Sequence, residues 1–407
     1  MDRSSSLRLV FCTMILASCS RATSLSTLPP TALDGSVPAA KANYQSLYSF
    51  KGGIDGAGPY AGLVPFNGAL YGTTAFGGGS GCGGQGCGTV FAVSSNGTVR
   101  IVYRFKGHPD GSGPLSSLIV MNGALYGTAP NGGRAGQGAV FEISASGKER
   151  VVYSFKNNMD GSGPLSSVTA FQGLLYGTTV GGGANGFGTV FATSTAGKER
   201  VLYSFEPRTD AGEPVSGLII VRGALYGTTP GHFGPTGSGT VYVVTISGSE
   251  RVLYRFKGRR QGDGTRSEAA LFALNGTLYG TTRRGGDAGD RRHGIVFSIT
   301  TSGAERTVYN FRGGMDGSHP RASLIAVNGT MYGTTSYGGG FPNPHRYSDG
   351  TVFSVTTSGV ERVLYAFKGA PDGARPYANL TFFNGALYGT TTEGGASNHG
   401  TIFKVTP

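Results

Sequence analysis

The sequence predicts an all-β fold, and three observations carry that reading. The first is a pentapeptide, Leu-Tyr-Gly-Thr-Thr or a close variant, centred on Tyr71, Tyr126, Tyr176, Tyr226, Tyr279, Tyr332 and Tyr388. Its spacings are 55, 50, 50, 53, 53 and 56 residues, so seven copies of one unit fill almost everything after residue 43. The second is composition. Glycine makes up 73 of 407 residues, clustered between short apolar runs and without a Gly-X-Y period, as in a loop-rich β protein and unlike collagen. The third is that no amphipathic helical period appears outside the N-terminus. A period near 50 built of short strands is that of a propeller blade, so the expectation is a seven-bladed β-propeller of four-stranded antiparallel blades.

At the N-terminus, Arg3 and Arg8 flank a short apolar run, Leu9–Leu16, which leads into Ala17-Ser18-Cys19. A basic start, a short apolar stretch and small residues before a cut site describe a secretory signal. The run is too short to span a bilayer as a helix. Leu16-Ala17-Ser18-Cys19 resembles the lipobox of bacterial lipoproteins, which implies cleavage before Cys19 and acylation of its thiol. Residues 1–18 are then a lipoprotein signal peptide. Residues 19–43, rich in Ser, Thr, Ala and Pro, are the lipidated cysteine and a flexible tether. The address is export to the cell envelope, lipid-anchored to a bacterial membrane, with no other membrane contact.

Residues 44–407 make the ring, and the second unit shows its strands most clearly. Strand A, residues 118–121, ends at Asn122-Gly123, a two-residue hairpin signal because both central positions need φ > 0. Strand B holds Tyr126. A Gly-rich loop leads to strand C, residues 139–143, and a Ser-Gly turn to strand D, residues 150–155. The Tyr-x-Phe of strand D recurs at Tyr48, Tyr103, Tyr153, Tyr203, Tyr254, Tyr309 and Tyr365. Strict alternation puts Tyr153 and Phe155 on one face and Val152 on the other. Both faces are apolar, as stacked blades require. The glycine of strand B, present in all seven units, marks a close backbone approach, and Pro65 in the first strand A suits an edge.

The array starts on a strand D, residues 46–50, and finishes on a strand C, residues 401–405. The counts match only if the N-terminal strand completes the last blade, which also hides the edges of an open array.

Short A–B and C–D turns occupy one face of such a ring, and the longer B–C and D–A loops the other, where function is expected. The D–A loops share Asp55, Asp110, Asp160, Asp210, Asp263, Asp316 and Asp372, five of them continuing as Asp-Gly-x-x-Pro. Sevenfold identical carboxylates cannot fill the different roles of one catalytic centre, and the loop lacks the ligand spacing of an EF-hand, so they read as turn-capping groups. Residues that break the repeat are the candidates for ligand binding. They are Arg259 and Arg260 leading into the fifth blade, Arg283, Arg284, Arg291, Arg292 and His293 in its B–C loop, and His345 and Arg346 in the sixth. Arginine pairs recognise carboxylate or phosphate, and a net charge of +12 favours anionic partners over cationic ones. No Gly-x-Ser-x-Gly, His-x-x-x-His or Cys-x-x-Cys pattern occurs, and dinucleotide or phosphate loops lack their strand-to-helix context. No metal, cofactor, catalytic residue or nucleic-acid partner is therefore assigned, and a monomer is expected. Cys82 and Cys87 suit a small local disulfide in an oxidising compartment.

The strings Gly-Ala-Leu-Tyr-Gly-Thr-Thr, Gly-Thr-Val-Phe and Arg-Val-Leu-Tyr-Ser-Phe, recurring in order, resemble the GloVer tandem repeat of bacterial surface and exported proteins across residues 44–407. Departures are Thr128-Ala129, Ala139, Ile295 and Asp263 without its proline. The resemblance implies an exported β-propeller, and it implies no reaction. The functional expectation is a surface-anchored binding or scaffolding module for an anionic polysaccharide or another envelope component. The alternative is a polysaccharide lyase or lactonase-like hydrolase with its site at the channel mouth. Convergence of His345, Arg346, Glu393 and His399 there would favour the enzyme.

Overall fold

The computed structural model of the chain describes residues 42–206, 209–231, 237–258, 261–286, 293–340 and 349–407. The signal peptide, Cys19 and nearly all of the tether lie outside the described residues.

Seven antiparallel sheets, each running A–B–C–D from the channel outwards, form the blades. In the second blade the strands are Ile119–Met121, Ala124–Ala129, Ala139–Ile143 and Glu149–Ser154. Its A–B turn has Asn122 at φ 50° and Gly123 at φ 74°, the left-handed pair that the Asn-Gly signal requires. The ring closes as the strand count demands. Asn43–Ser49 pairs antiparallel with Thr401–Thr406 and supplies the outer strand of the seventh blade.

The core lies between blades. One cluster joins Val140, Val152 and Phe155 of the second blade to Val168, Leu175 and Phe191 of the third, and six more repeat the arrangement around the ring. Two expectations are corrected here. Strand D does not alternate strictly. Val140 faces Tyr153 and Phe141 faces Val151, so Val152 is an extra residue in a β-bulge. The bulge turns Val152, Tyr153 and Phe155 to the same side, against the third blade. The strand B glycine does not mark a backbone approach either. A Cβ on Gly127 would come 2.6 Å from Cζ of Phe141, the strand C residue opposite it, so the missing side chain houses an aromatic ring.

One polar device ties blade to blade, and a second fixes each connecting loop. The first threonine of the pentapeptide reaches the backbone of the next blade: Thr128 Oγ1 donates to the Ser166 carbonyl at 2.8 Å. Across the seam Thr390 does the same, to the carbonyls of Pro59 at 3.1 Å and Ala61 at 3.0 Å. The second device uses the seven loop aspartates, each accepting a hydrogen bond of 2.7–2.8 Å from the strand D tyrosine. A backbone N–H upstream also donates, as from Lys156 to Asp160 at 3.1 Å. The aspartates thus cap turns.

At five seams a glutamate from the next strand D faces this clamp: Glu149, Glu199, Glu250, Glu305 and Glu361. Burial first, and the clamp aspartate second, push each up to about 7. Each also keeps one oxygen buried without a hydrogen-bond partner, which suits the neutral acid. At the sixth position Tyr44 replaces the glutamate. Its hydroxyl donates to Asp372 at 2.5 Å and its ring stacks on Tyr365 at 3.7 Å.

These features give two expected outcomes. Deleting residues 43–50 unpairs Thr401–Thr406 and opens the ring, so the variant should lose its cooperative thermal transition; an unchanged melting temperature would contradict the closure. The five glutamates set the second. A carboxyl whose folded value lies above its ordinary value stabilises the fold as the neutral acid. That stabilisation is complete below about pH 4.5 and is lost as pH rises through about 7. The melting temperature should therefore fall between about pH 5 and about pH 8, and five Glu→Gln changes should flatten the curve. A wild-type melting temperature that rises across this window would refute the assignment.

Candidate functional site

Three residues after its clamp aspartate, each D–A loop has a left-handed residue on its way to the channel. In the first three blades that residue is Gly58, Gly113 or Gly163, with φ between 60° and 64°. In the next four it is Glu213 (φ 51°), Arg266 (59°), His319 (57°) and Arg375 (55°). The N–H of each donates to a carbonyl of the preceding blade, for example Gly113 to Cys87 at 2.9 Å, His319 to His293 at 2.7 Å and Arg375 to Asp349 at 2.8 Å. Glycine is the relaxed choice at such a position, and a side chain there costs on the order of 1 kcal/mol. Four blades carry that strain, and three of them add an arginine or histidine.

Two residues further on, the loops line the mouth of the central channel, a cavity of about 220 Å³. Leu115, Leu165 and Val215 give it an apolar half. Glu268, Arg321, Tyr377 and Tyr60 give it a polar and aromatic half. These last four form an inner arc over the fifth, sixth, seventh and first blades. Glu268 receives Arg283 Nη1 at 3.3 Å and Arg321 Nε at 3.5 Å. The Arg321 guanidinium lies 4.9 Å from the Tyr377 ring centre, and Tyr377 stacks beside Tyr60 at 5.6 Å and 17°.

An outer arc runs behind it. His293 and His319 stand edge to face at 6.4 Å, His319 and Tyr337 at 5.4 Å. Arg375 lies 5.5 Å over Tyr337 and binds Glu393 at 2.7 Å. Burial, then the charges of Arg283 and Arg284, push His319 down to about 4, so it is neutral at physiological pH. Burial, then the neighbouring Tyr337, raise Tyr377 to about 12, so it stays a phenol. The arrangement offers guanidinium groups for an anion, aromatic faces for a ring and an apolar wall opposite.

Arg283, Arg284 and His293 from the sequence reading fall in this quadrant. Arg283 joins the inner arc. Arg284 pairs with Thr265 in a two-residue ladder, and the His293 carbonyl anchors His319. Arg259, Arg260, Arg291, Arg292, His345 and Arg346 lie outside the described residues. Glu393 is held by Arg375 in the outer arc, whereas His399 is exposed beside Gly52 at the seam of the seventh and first blades. Sequence reasoning missed Glu268, Arg321, Tyr377, Tyr60, His319 and Arg375. Their signal shows once the D–A loops are aligned on their aspartates, where Gly-Pro-Leu becomes Arg-Ser-Glu, His-Pro-Arg and Arg-Pro-Tyr. Cys82 and Cys87 form a disulfide in the first B–C loop, with Cα atoms 5.3 Å apart. Among the described residues no cluster of His, Cys, Asp and Glu is arranged to hold a metal ion.

A closed seven-bladed ring with a mouth apolar on one side and cationic on the other is a β-propeller with one chemically distinctive face. The chain belongs to the Gloeobacter/Verrucomicrobia repeat family, whose profile matches residues 36–234, 150–345 and 222–407. No curated protein matches its sequence. Among solved structures it is similar to a putative gluconolactonase at 13% identity, covering 90% of this chain and 92% of that one with a TM-score of 0.43. It is similar to a puromycin hydrolase at 13% identity, covering 83% and 50%, TM-score 0.48. It is also similar to a mutant Trypanosoma rangeli sialidase at 11% identity, covering 89% and 58%, TM-score 0.45. These likenesses concern the fold alone.

The strained positions give a test of their own. Replacing Arg266 by glycine relieves the left-handed backbone but adds freedom to the unfolded chain, so stability should hold or rise by up to about 1 kcal/mol. A loss larger than that in chemical denaturation would show that the Arg266 side chain supports the fold.

Proposed function

We propose that the protein is an exported, lipid-anchored propeller that binds acidic polysaccharide of the cell surroundings through the long-loop face of its fifth to seventh blades. One observation carries the reading: Arg283, Arg321 and Arg375 gather in and behind the mouth against Glu268 and Glu393, with Arg284 close to His319. A net cationic patch held on rigid strands draws polyanions and sets their orientation. The signal-like N-terminus and Cys19 supply the address. Immobilised polygalacturonate should retain the mature protein and a neutral glucan should not. Retention should fall steeply with salt, since exposed charges are screened over ~8 Å at physiological ionic strength. Joint Arg284→Ser and Arg375→Ser changes should weaken it about tenfold or more. Equal retention of wild type and variant, or indifference to salt, would reject the reading. Cys19→Ser should move the protein from the membrane fraction to the soluble one; unchanged partition would reject the anchor.

A second reading is enzymatic, and His319 favours it. A neutral imidazole beside the Tyr337 phenol, ringed by arginines, has the parts for proton transfer on a carboxylated sugar. Release of unsaturated or shortened products from polyuronate by wild type, abolished by His319→Ala, would establish it.

A further inference from the structure

We propose that the mouth cavity is a chain-end site, which receives one terminal carboxylated sugar ring rather than the interior of a polymer. This rests on the reading above that the ligand is an acidic polysaccharide.

The first argument is size. A volume of about 220 Å³ holds one sugar ring and little more. Below the inner arc the channel is lined by small residues, among them Gly62, Ser117, Ala270 and Ser323. Asn379 is the exception. Its Oδ1 accepts the Ser117 hydroxyl at 3.1 Å, and Ser117 Oγ in turn accepts the Gly62 N–H at 2.9 Å. That chain of bonds links the seventh, first and second blades along the cavity wall. A Cβ on Gly62 would fall 2.4 Å from Asn379 Oδ1, so glycine there is what lets the side chain cross. A recess of this volume accepts a single ring. An interior sugar would need room for a glycosidic link on two sides.

The second argument is chemistry. A pyranose carboxylate has an apolar C–H face, a rim of hydroxyls and one charge. The cavity answers each. Leu115, Leu165 and Val215 make a wall for the C–H face, and the paired rings of Tyr60 and Tyr377 make a second flat panel. Glu268 is an acceptor for hydroxyls. Arg321 lines the cavity, its partly exposed guanidinium lying over the Tyr377 ring and beside Glu268. A guanidinium held in this way has further N–H donors for the ligand carboxylate.

The experiment is competition on the mature full-length chain. Free D-galacturonate should displace polygalacturonate, and its methyl ester should not. At equal mass, polygalacturonate cut to shorter chains should bind more strongly in proportion to the number of ends. Arg321→Gln should weaken galacturonate binding roughly tenfold or more. Leu165→Trp fills the recess from the apolar wall and touches no arginine, so it should abolish competition by the monomer; thermal unfolding of both variants checks that they fold. If polymer binds but the monomer does not compete and chain length is immaterial, the chain-end site is wrong and the anionic face stands. If no acidic polymer binds at all, the broader reading fails with it. If the monomer binds and the polymer does not, the site serves free sugar acids and chain-end recognition is overturned.

Discussion

The ring depends on one hydrogen bond made seven times, from the tyrosine of strand D to the aspartate seven to nine residues on. It fixes where each D–A loop leaves the outer strand. From there the geometry propagates inward. The loop crosses to the channel through a residue whose N–H is tied to the preceding blade, and the next strand A begins in register with its neighbours. Because the clamp is the same in every blade, every loop arrives at the mouth in the same pose. The residues at its tip are then exchangeable. A leucine in one blade and an arginine in another present themselves at equivalent points of the circle.

That division explains how one side of the mouth differs from the other without disturbing the scaffold. The first three D–A loops keep glycine at the left-handed position, and the second and third place leucine at the rim. The fifth to seventh accept backbone strain and present charge. The strain is local and small against the apolar area buried at seven seams, which is the usual relation between a site and the body that carries it. The disulfide lies on the same face but on the first blade, where its Cys87 carbonyl holds Gly113 in place.

The fold was legible in the sequence to the level of strand order, turn type and ring closure, because each follows from a short string repeated seven times. The bulge in strand D was not. Val151, Val152 and Tyr153 are all apolar enough to face a neighbouring blade, so nothing in their pattern reveals the extra residue. The role of the strand B glycine was misread for a similar reason: the ring it accommodates, Phe141, is on another strand. The site was legible in part. Arg283 and Arg284 announce themselves as a local excess of charge. Glu268, Arg321, Tyr377 and Tyr60 do not, since each is one polar or aromatic residue in an ordinary loop. Only the closing of the circle brings residue 60 beside residue 377.

The same closing sets an order of events. The strand Asn43–Ser49 is made before the six blades that follow it and its partner Thr401–Thr406 after them. A ribosome therefore releases six complete blades before the first strand has anywhere to go, and Tyr44 must find Asp372 across 328 residues. Meanwhile six other outer strands of nearly the same sequence are taking their places. Where five of those carry glutamate, this one carries tyrosine, and only at its own seam does that ring meet Tyr365 face to face. Tyr44 thus works as a label of position, which lets a latecomer among near-copies tell its own vacancy from the rest.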